Sequence, residues 1–212
     1  MGGRADSERE RIRAALIELV DERGYRETTL EAVLERAGLA EDSFARHYPD
    51  LDACFTEIWL DYREIIFAAT RNGFASGEGW REGMRAAAWR YCRFLEEDRA
   101  RTRFFLVEFN FAGEAVRASR DLAMREYAEL IDQGNGDRPD RDRVPLAHAE
   151  AIIGAIWEAT VTRSLHDELH TLPEAIPEAM FLTVFPYLGA EAAQDELQRG
   201  PADLERYRRG EI

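Results

Sequence analysis

The sequence predicts an all-α protein. Apolar residues recur at three- and four-residue spacings along nearly the whole chain, the signature of amphipathic helices. No strand-like alternation persists beyond a few residues. Seven prolines and fifteen glycines in 212 residues leave room for long helices, and a 45% hydrophobic content is ample for a buried core.

The first helix is expected to start at Ser7, with Glu10 three residues on completing a capping box. Ile12, Ala15, Leu16, Leu19 and Val20 share one face, and Gly24 ends the helix. Thr28 or Thr29 caps a second helix with Leu30, Val33, Leu34 and Ala37 inward. Gly38 makes a tight turn, and a short third helix spans about residues 40–47. None of the three is long enough to persist alone in water, so they must pack on one another.

Pro49 and Asp50 start a longer helix carrying Leu51, Phe55, Ile58, Trp59, Tyr62 and Ile66. "RNGFASGEG", Arg71 to Gly79, is the first flexible break. Stripes follow at Trp80, Met84, Ala87, Tyr91 and Leu95, then at Phe104, Phe105, Glu108 and Phe109. A helix runs from about Glu114 to Ile131, and "DQGNGDRPDRDR", Asp132 to Arg143, reads as a loop. Two strong helices close the chain, about Pro145–His170 and Pro173–Leu188, the second ended by Gly189.

The penultimate helix is apolar on more than one face, through Ile152, Ile153, Ile156, Trp157 and Val161, with small residues Gly154 and Ala155 among them. The last helix, with Phe181 and Phe185, behaves alike. Such helices are buried on several sides. Either they form a deep core, or they meet their symmetry mates in a dimer interface built on Ile153, Gly154, Trp157, Val161, Phe181 and Phe185.

All 28 basic residues are arginine, and the net charge of −14 argues against a general polyanion binder. Even residues 1–60 hold eight arginines against fourteen acids. Two cysteines without a pairing motif, Cys54 and Cys92, suit a reducing cytosol. The N-terminal stretch lacks an apolar export core and no uncharged run reaches spanning length, so a soluble cytoplasmic protein with no membrane partner is expected. No nucleophile elbow, phosphate-binding glycine loop or paired-cysteine site occurs, so nothing points to an enzyme or to a cofactor.

The run "GYRETTLEAVLERAGLAEDSFARHYPDLDACF" carries a Gly-Tyr turn, a Thr-Thr cap, an Ala-Gly turn and an aromatic after His47. On these features the N-terminal 65 or so residues resemble the helix-turn-helix domain of the TetR family of transcriptional regulators. "IIGAIWEATVTRSL" and "IPEAMFLTVFPYLG" are similar to that family's two dimer-forming helices. The resemblance implies a DNA-binding domain over residues 5–65 and a helical ligand-binding and dimerisation domain over 66–212. It implies a homodimer that binds double-stranded DNA and a small-molecule effector, most often as a repressor on a palindromic operator.

Carried over by position, Thr29 matches a capping and phosphate-contacting residue. Ser43, Arg46, His47 and Tyr48 match positions that commonly meet bases or phosphates. Three positions depart: the usual tyrosine of the reading helix is Ala45, its glycine is Asp42, and a phosphate-binding lysine is Leu51. Glu41 and Asp42 in a first helical turn suit the helix dipole, while Glu41 could also accept from cytosine N4 in the major groove.

Three further features each carry two readings. Glu108 on an apolar stripe needs a partner. Either it pairs with Arg101 or Arg163, or it anchors a cationic ligand in a pocket lined by Trp80, Trp89, Tyr91, Phe105, Phe109 and Trp157. Those aromatics read equally as plain core. "HDELH", His166 to His170, has metal-ligand spacing, but a histidine at a helix C-terminus is favoured by the dipole without any metal, and no metal is expected.

Overall fold

The computed structural model describes residues 2–137 and 143–212, with side chains from Ser7 onward. Every long element among the described residues is an α-helix: α1 Gly2–Arg23, α2 Leu30–Ala37, α3 Glu41–Ala45, α4 Leu51–Ala75, α5 Trp80–Glu97, α6 Arg99–Leu106, α7 Glu114–Asp132, α8 Leu146–Leu165 and α9 Ile176–Arg208. Short 3-10 turns link several of them.

The chain divides into two compact units, Met1–Glu64 with Asp98–Arg120, and Ile65–Glu97 with Asp121–Ile212. Residues 98–120, expected in the second domain, therefore cluster with the first. The reason is aromatic. Phe104 stacks on Phe55 with centroids 4.2 Å apart, Phe105 stacks on Trp59 at 4.7 Å, and Trp59 Nε1 donates to the Phe105 carbonyl at 3.0 Å. Tyr62 and Thr102 share a buried hydroxyl bond of 2.9 Å. This part of the chain is too rich in large rings to stand apart from the helices it fills.

Within the first unit α1 packs on α2 and α6 through Ile12, Leu16, Leu19 and Val20, all essentially inaccessible to water. The helix begins at Gly2, so Ser7 is not its cap. The run between them contains no proline, so nothing forbids the helix from extending outward. Thr29 does cap α2, accepting from the Ala32 N–H at 3.3 Å. Gly38 takes the left-handed conformation at φ 62°, which lets the Leu39 N–H reach the Leu34 carbonyl at 3.0 Å and close α2. Arg11 of α1 then donates to the carbonyls of Ala37 and Gly38, the latter at 3.0 Å. Asp50 caps α4 by accepting from the Ala53 N–H at 2.8 Å.

In the second unit α5 lies against α9. Trp80 Nε1 donates to the Leu130 carbonyl at 3.0 Å, and the Trp80 ring sits 5.0 Å from Tyr187. α8 stops at Leu165 rather than about His170. Asp167 at φ 69° makes the stop, with the Glu168 N–H returning to the Arg163 carbonyl at 2.8 Å. α9 continues past the expected end. Gly189 breaks it at φ 82°, ψ −177°, after which the chain re-enters the helix and runs to Arg208. Buried Glu196 fixes this second stretch, accepting from Arg85 at 2.7 and 2.9 Å and from Arg81.

Among the described residues no helix is long and apolar enough to cross a membrane.

Candidate nucleic-acid interface

α3 is held by one large anchor. Phe44 is buried beneath it, and its ring meets Tyr48 at 5.6 Å. A helix of five residues with a single apolar anchor presents the rest of its surface outward: Glu41, Asp42, Ala45 and Arg46 are exposed, and Ser43 and His47 are half-buried. Exposed Thr29 caps α2. The helix-turn-helix core thus places Thr29, Glu41, Ser43, Arg46 and His47 at or near the surface of one unit.

Tyr48 is placed differently. Only 3% exposed, it belongs to the core, with its hydroxyl donating to Glu57 at 2.7 Å and receiving from Arg9 Nε at 3.3 Å. An aromatic one residue beyond His47 turns inward because the chain has left α3 and must cover Phe44. Its position in the sequence matched a DNA-contacting residue, but its ring is a wedge under α3.

Glu57 gathers this network. Burial opposes its ionisation, yet the bonds from Arg9, Tyr48 and Arg13 outweigh that, and its pKa falls below the usual carboxylate range. Arg9 is engaged here through an ion pair with Glu57. Burial also pushes the Cys54 thiol up to about 12, which leaves it a protonated core residue at neutral pH.

Arg46 folds back along its own helix toward Ser43 Oγ at 2.8 Å and reaches Glu8 of α1 at 2.9 Å. Neither Glu8 nor the turn-clamping Arg11 was legible as functional, since both sit in the alternating charge run "SERERIR" that reads as a solvated face. Leu51 is half-buried and borders an open groove of about 510 Å³ with Tyr25, Arg26, Thr28, Asp52, Asn110 and Phe111.

The residues expected to line a ligand pocket are divided between the two units. Phe105, Glu108 and Phe109 belong to the first unit, and Trp80, Trp89, Tyr91 and Trp157 to the second. Phe105, Trp80 and Trp89 are buried core. Phe109 carries Arg120 at 5.8 Å above its ring, and Tyr91 lies 3.5 Å from Thr160 Oγ1. A cleft of about 360 Å³ in the second unit is bordered by Trp89 but by none of the other six. Glu108 has a partner that neither reading named: it accepts from the backbone N–H of Tyr25 at 3.0 Å. A carboxylate 4% exposed thereby ties the turn after α1 to the segment after α6.

α8 is not a deep core helix within the chain. Of its twenty residues the buried ones are Ala149, Thr160 and Ser164. Ile153, Trp157 and Val161 are half-exposed, and a side chain added at exposed Gly154 would meet nothing within 4 Å. On α9, Phe181 is half-exposed with its ring 5.8 Å from Phe185, and Leu182 and Phe185 are 59% and 49% exposed.

His166 and His170 do not share a helix face, because α8 ends between Thr162 and them. His166 Nδ1 lies 2.8 Å from the Thr162 carbonyl, as a helix-end histidine does. Among the described residues no group of three or more His, Cys, Asp or Glu could hold a metal ion.

Residues 12–58 match the sequence model of the tetR family of bacterial regulatory proteins. No curated protein matches the chain. Solved structures share its fold. A TetR family transcription regulator from Marinobacter aquaeolei VT8 is 20% identical, covering 86% of this chain and 96% of its own at a TM-score of 0.66. A γ-butyrolactone receptor, described as ArpA-like, is 17% identical, covering 96% and 98% at 0.73. The transcriptional regulator FadR from Bacillus subtilis, solved with stearoyl-CoA, is 15% identical, covering 82% and 97% at 0.68.

Proposed function

We propose that this chain, which belongs to the TetR family of bacterial regulatory proteins, is a homodimeric, ligand-responsive transcriptional repressor of the cytoplasm that binds a palindromic operator. The observation that carries the reading is the surface of the helix-turn-helix. α3 is pinned from beneath by Phe44 and from the side by the Arg11 clamp on the preceding turn, and it turns its remaining residues outward. A short helix fixed on one side and open on the other fits a major groove. Thr29 at the start of α2 is placed to meet phosphate, with Ser43, Arg46, His47 and Glu41 toward base edges.

The apolar surface of α8 and α9 supports the dimer. Residues such as Ile153, Val161, Leu182 and Phe185 stay accessible in a single chain, and exposed apolar surface of this kind marks an interface. Two copies related by a two-fold axis would present two copies of α3 to inverted half-sites.

The effector is proposed by analogy to the family and to the γ-butyrolactone receptor and the stearoyl-CoA complex: a small molecule with substantial apolar surface. A chain that binds such a molecule and no longer reads DNA is the competing reading, favoured by Leu51 and by the exposed acids Glu41 and Asp42. Selection from a pool of random duplexes at low and moderate salt decides between them. Enrichment of an inverted repeat supports the repressor, and failure to enrich any sequence leaves the competing reading.

A further inference from the structure

The guanidinium of Arg46 is already engaged within the chain. Nη1 donates to the Asp42 carbonyl at 3.1 Å, and Nη2 donates to Ser43 Oγ at 2.8 Å and to Glu8 Oε2 at 2.9 Å. Three of five guanidinium N–H groups are therefore used, which leaves Nε–H and one N–H on Nη1. The Arg46 side chain is nonetheless 57% exposed, so those two donors are within reach of a partner. Glu8 is held differently. Its side chain is only 13% exposed, and the same Oε2 lies 3.6 Å from His47 Nε2. An acid on α1 thus stands behind two residues expected to meet DNA.

We propose that Glu8 is a specificity-determining residue of the DNA-binding face, which positions Arg46 for a base edge and withholds its charge from phosphates. The inference rests on the DNA-binding reading given above. A phosphate contact is driven by net charge and the release of counterions. Arg46 already has a carboxylate partner, so exchanging it for a phosphate gains little. The exchange also gives up the bond to Glu8. A base edge differs, because acceptors such as guanine O6 and N7 are neutral. The Nε–H and the remaining Nη1 N–H point apart, so either can meet one such acceptor, though not both acceptors of one guanine, while Glu8 remains bonded behind. Glu8 therefore penalises contacts common to every sequence more than contacts that distinguish one from another. The Arg46 side of this ion pair is exposed, which keeps its contribution to folding small, so removing Glu8 alters binding more than folding.

The test compares the intact protein with Glu8→Gln, Arg46→Ala and the double variant. The probes are the duplex recovered by selection and a scrambled duplex of equal length, measured by fluorescence anisotropy across a salt series. Glu8→Gln is expected to bind the scrambled duplex more tightly and to steepen log K against log salt by about 0.9 per added phosphate contact. The ratio of selected to scrambled affinity should fall about fivefold, the size of one hydrogen-bond contact. In the Arg46→Ala background the same substitution should change neither quantity. If Glu8→Gln loses its helical circular dichroism, Glu8→Ala replaces it with the same expectations.

An unchanged slope and ratio, with only the melting temperature lowered, would reduce Glu8 to a structural ion pair. Equal gains with and without Arg46 would make it a general repulsive charge and also overturn the inference. Wild-type selectivity with an unaffected Glu8 variant defeats the inference alone. Absence of binding by every variant to every duplex defeats the DNA-binding reading as well.

Discussion

Glu108 and Tyr48 show what a single residue type announces and what it withholds. An acid on an apolar stripe must have a partner, and the sequence makes that necessity plain. It does not reveal that the partner is the Tyr25 N–H, because a backbone group 83 positions away carries no sequence signal. Glu108→Ala leaves that N–H with no side-chain acceptor and is expected to cost about 1–3 kcal/mol, whereas Glu108→Gln keeps an acceptor oxygen and costs less. Chemical denaturation of both variants checks the order, and equal losses would mean that the charge itself matters. Tyr48 is the converse case. Its match in position was good, but its ring is buried and its hydroxyl is held by Glu57, a residue nine positions on that carries no such signal. Arg46 stays exposed and retains free donors. Arg46→Ala should relax selection at one base position, worth about 1–3 kcal/mol of discrimination. Uniform weakening across sequences would instead identify a phosphate contact.

The elements themselves were largely legible, since 3.6-residue periodicity, a threonine cap and a left-handed glycine are local signals. Thr29 and Gly38 behave as those signals require. The misses lie where a local cue was overruled. Gly189 reads as a helix end, and the chain does leave helical geometry there. The helix resumes because Glu196 can meet Arg81 and Arg85 of α5, an ion cluster that no window of sequence contains. Burial disfavours the charged Glu196, but the two arginines more than compensate, and its pKa lies below the ordinary 4.5. A depressed folded-state pKa stabilises above the unfolded value and is lost as pH falls through the folded one. Wild-type stability should therefore decline below about pH 4.5 partly through this cluster. Glu196→Gln should start lower and decline less over the same range, as thermal melts at pH 7 and pH 3.5 would reveal. Parallel decline in both proteins would exclude Glu196 as a contributor.

α8 gives the second lesson at this scale. Its all-round apolar pattern left a deep core and an interface equally open, and the structure narrows the choice by leaving most of those side chains accessible. Gly154→Arg places a long charged group where a single chain has open space, and arginine is the better helix former. The expected result is a folded monomer by light scattering and circular dichroism. A stable interface would bury about 800 Å² per subunit or more. A Gly154→Arg protein that remains dimeric would place the interface elsewhere.

For the molecule as a whole, charge sets the terms of binding. A chain of −14 with two exposed acids opening α3 and leucine at the start of α4 has little to offer a phosphate backbone. Each phosphate contact forgone removes about 0.9 from the slope of log K against log salt, so specific binding should depend on salt only shallowly. The proposed dimer predicts two inverted half-sites. Selection from random duplexes at low salt, followed by affinity measurement of the recovered site from 50 to 200 mM salt, tests this most directly. An enriched palindrome bound with a shallow salt slope is the predicted result; a pool that never enriches, or binding that is steeply salt-dependent and indifferent to sequence, would contradict it.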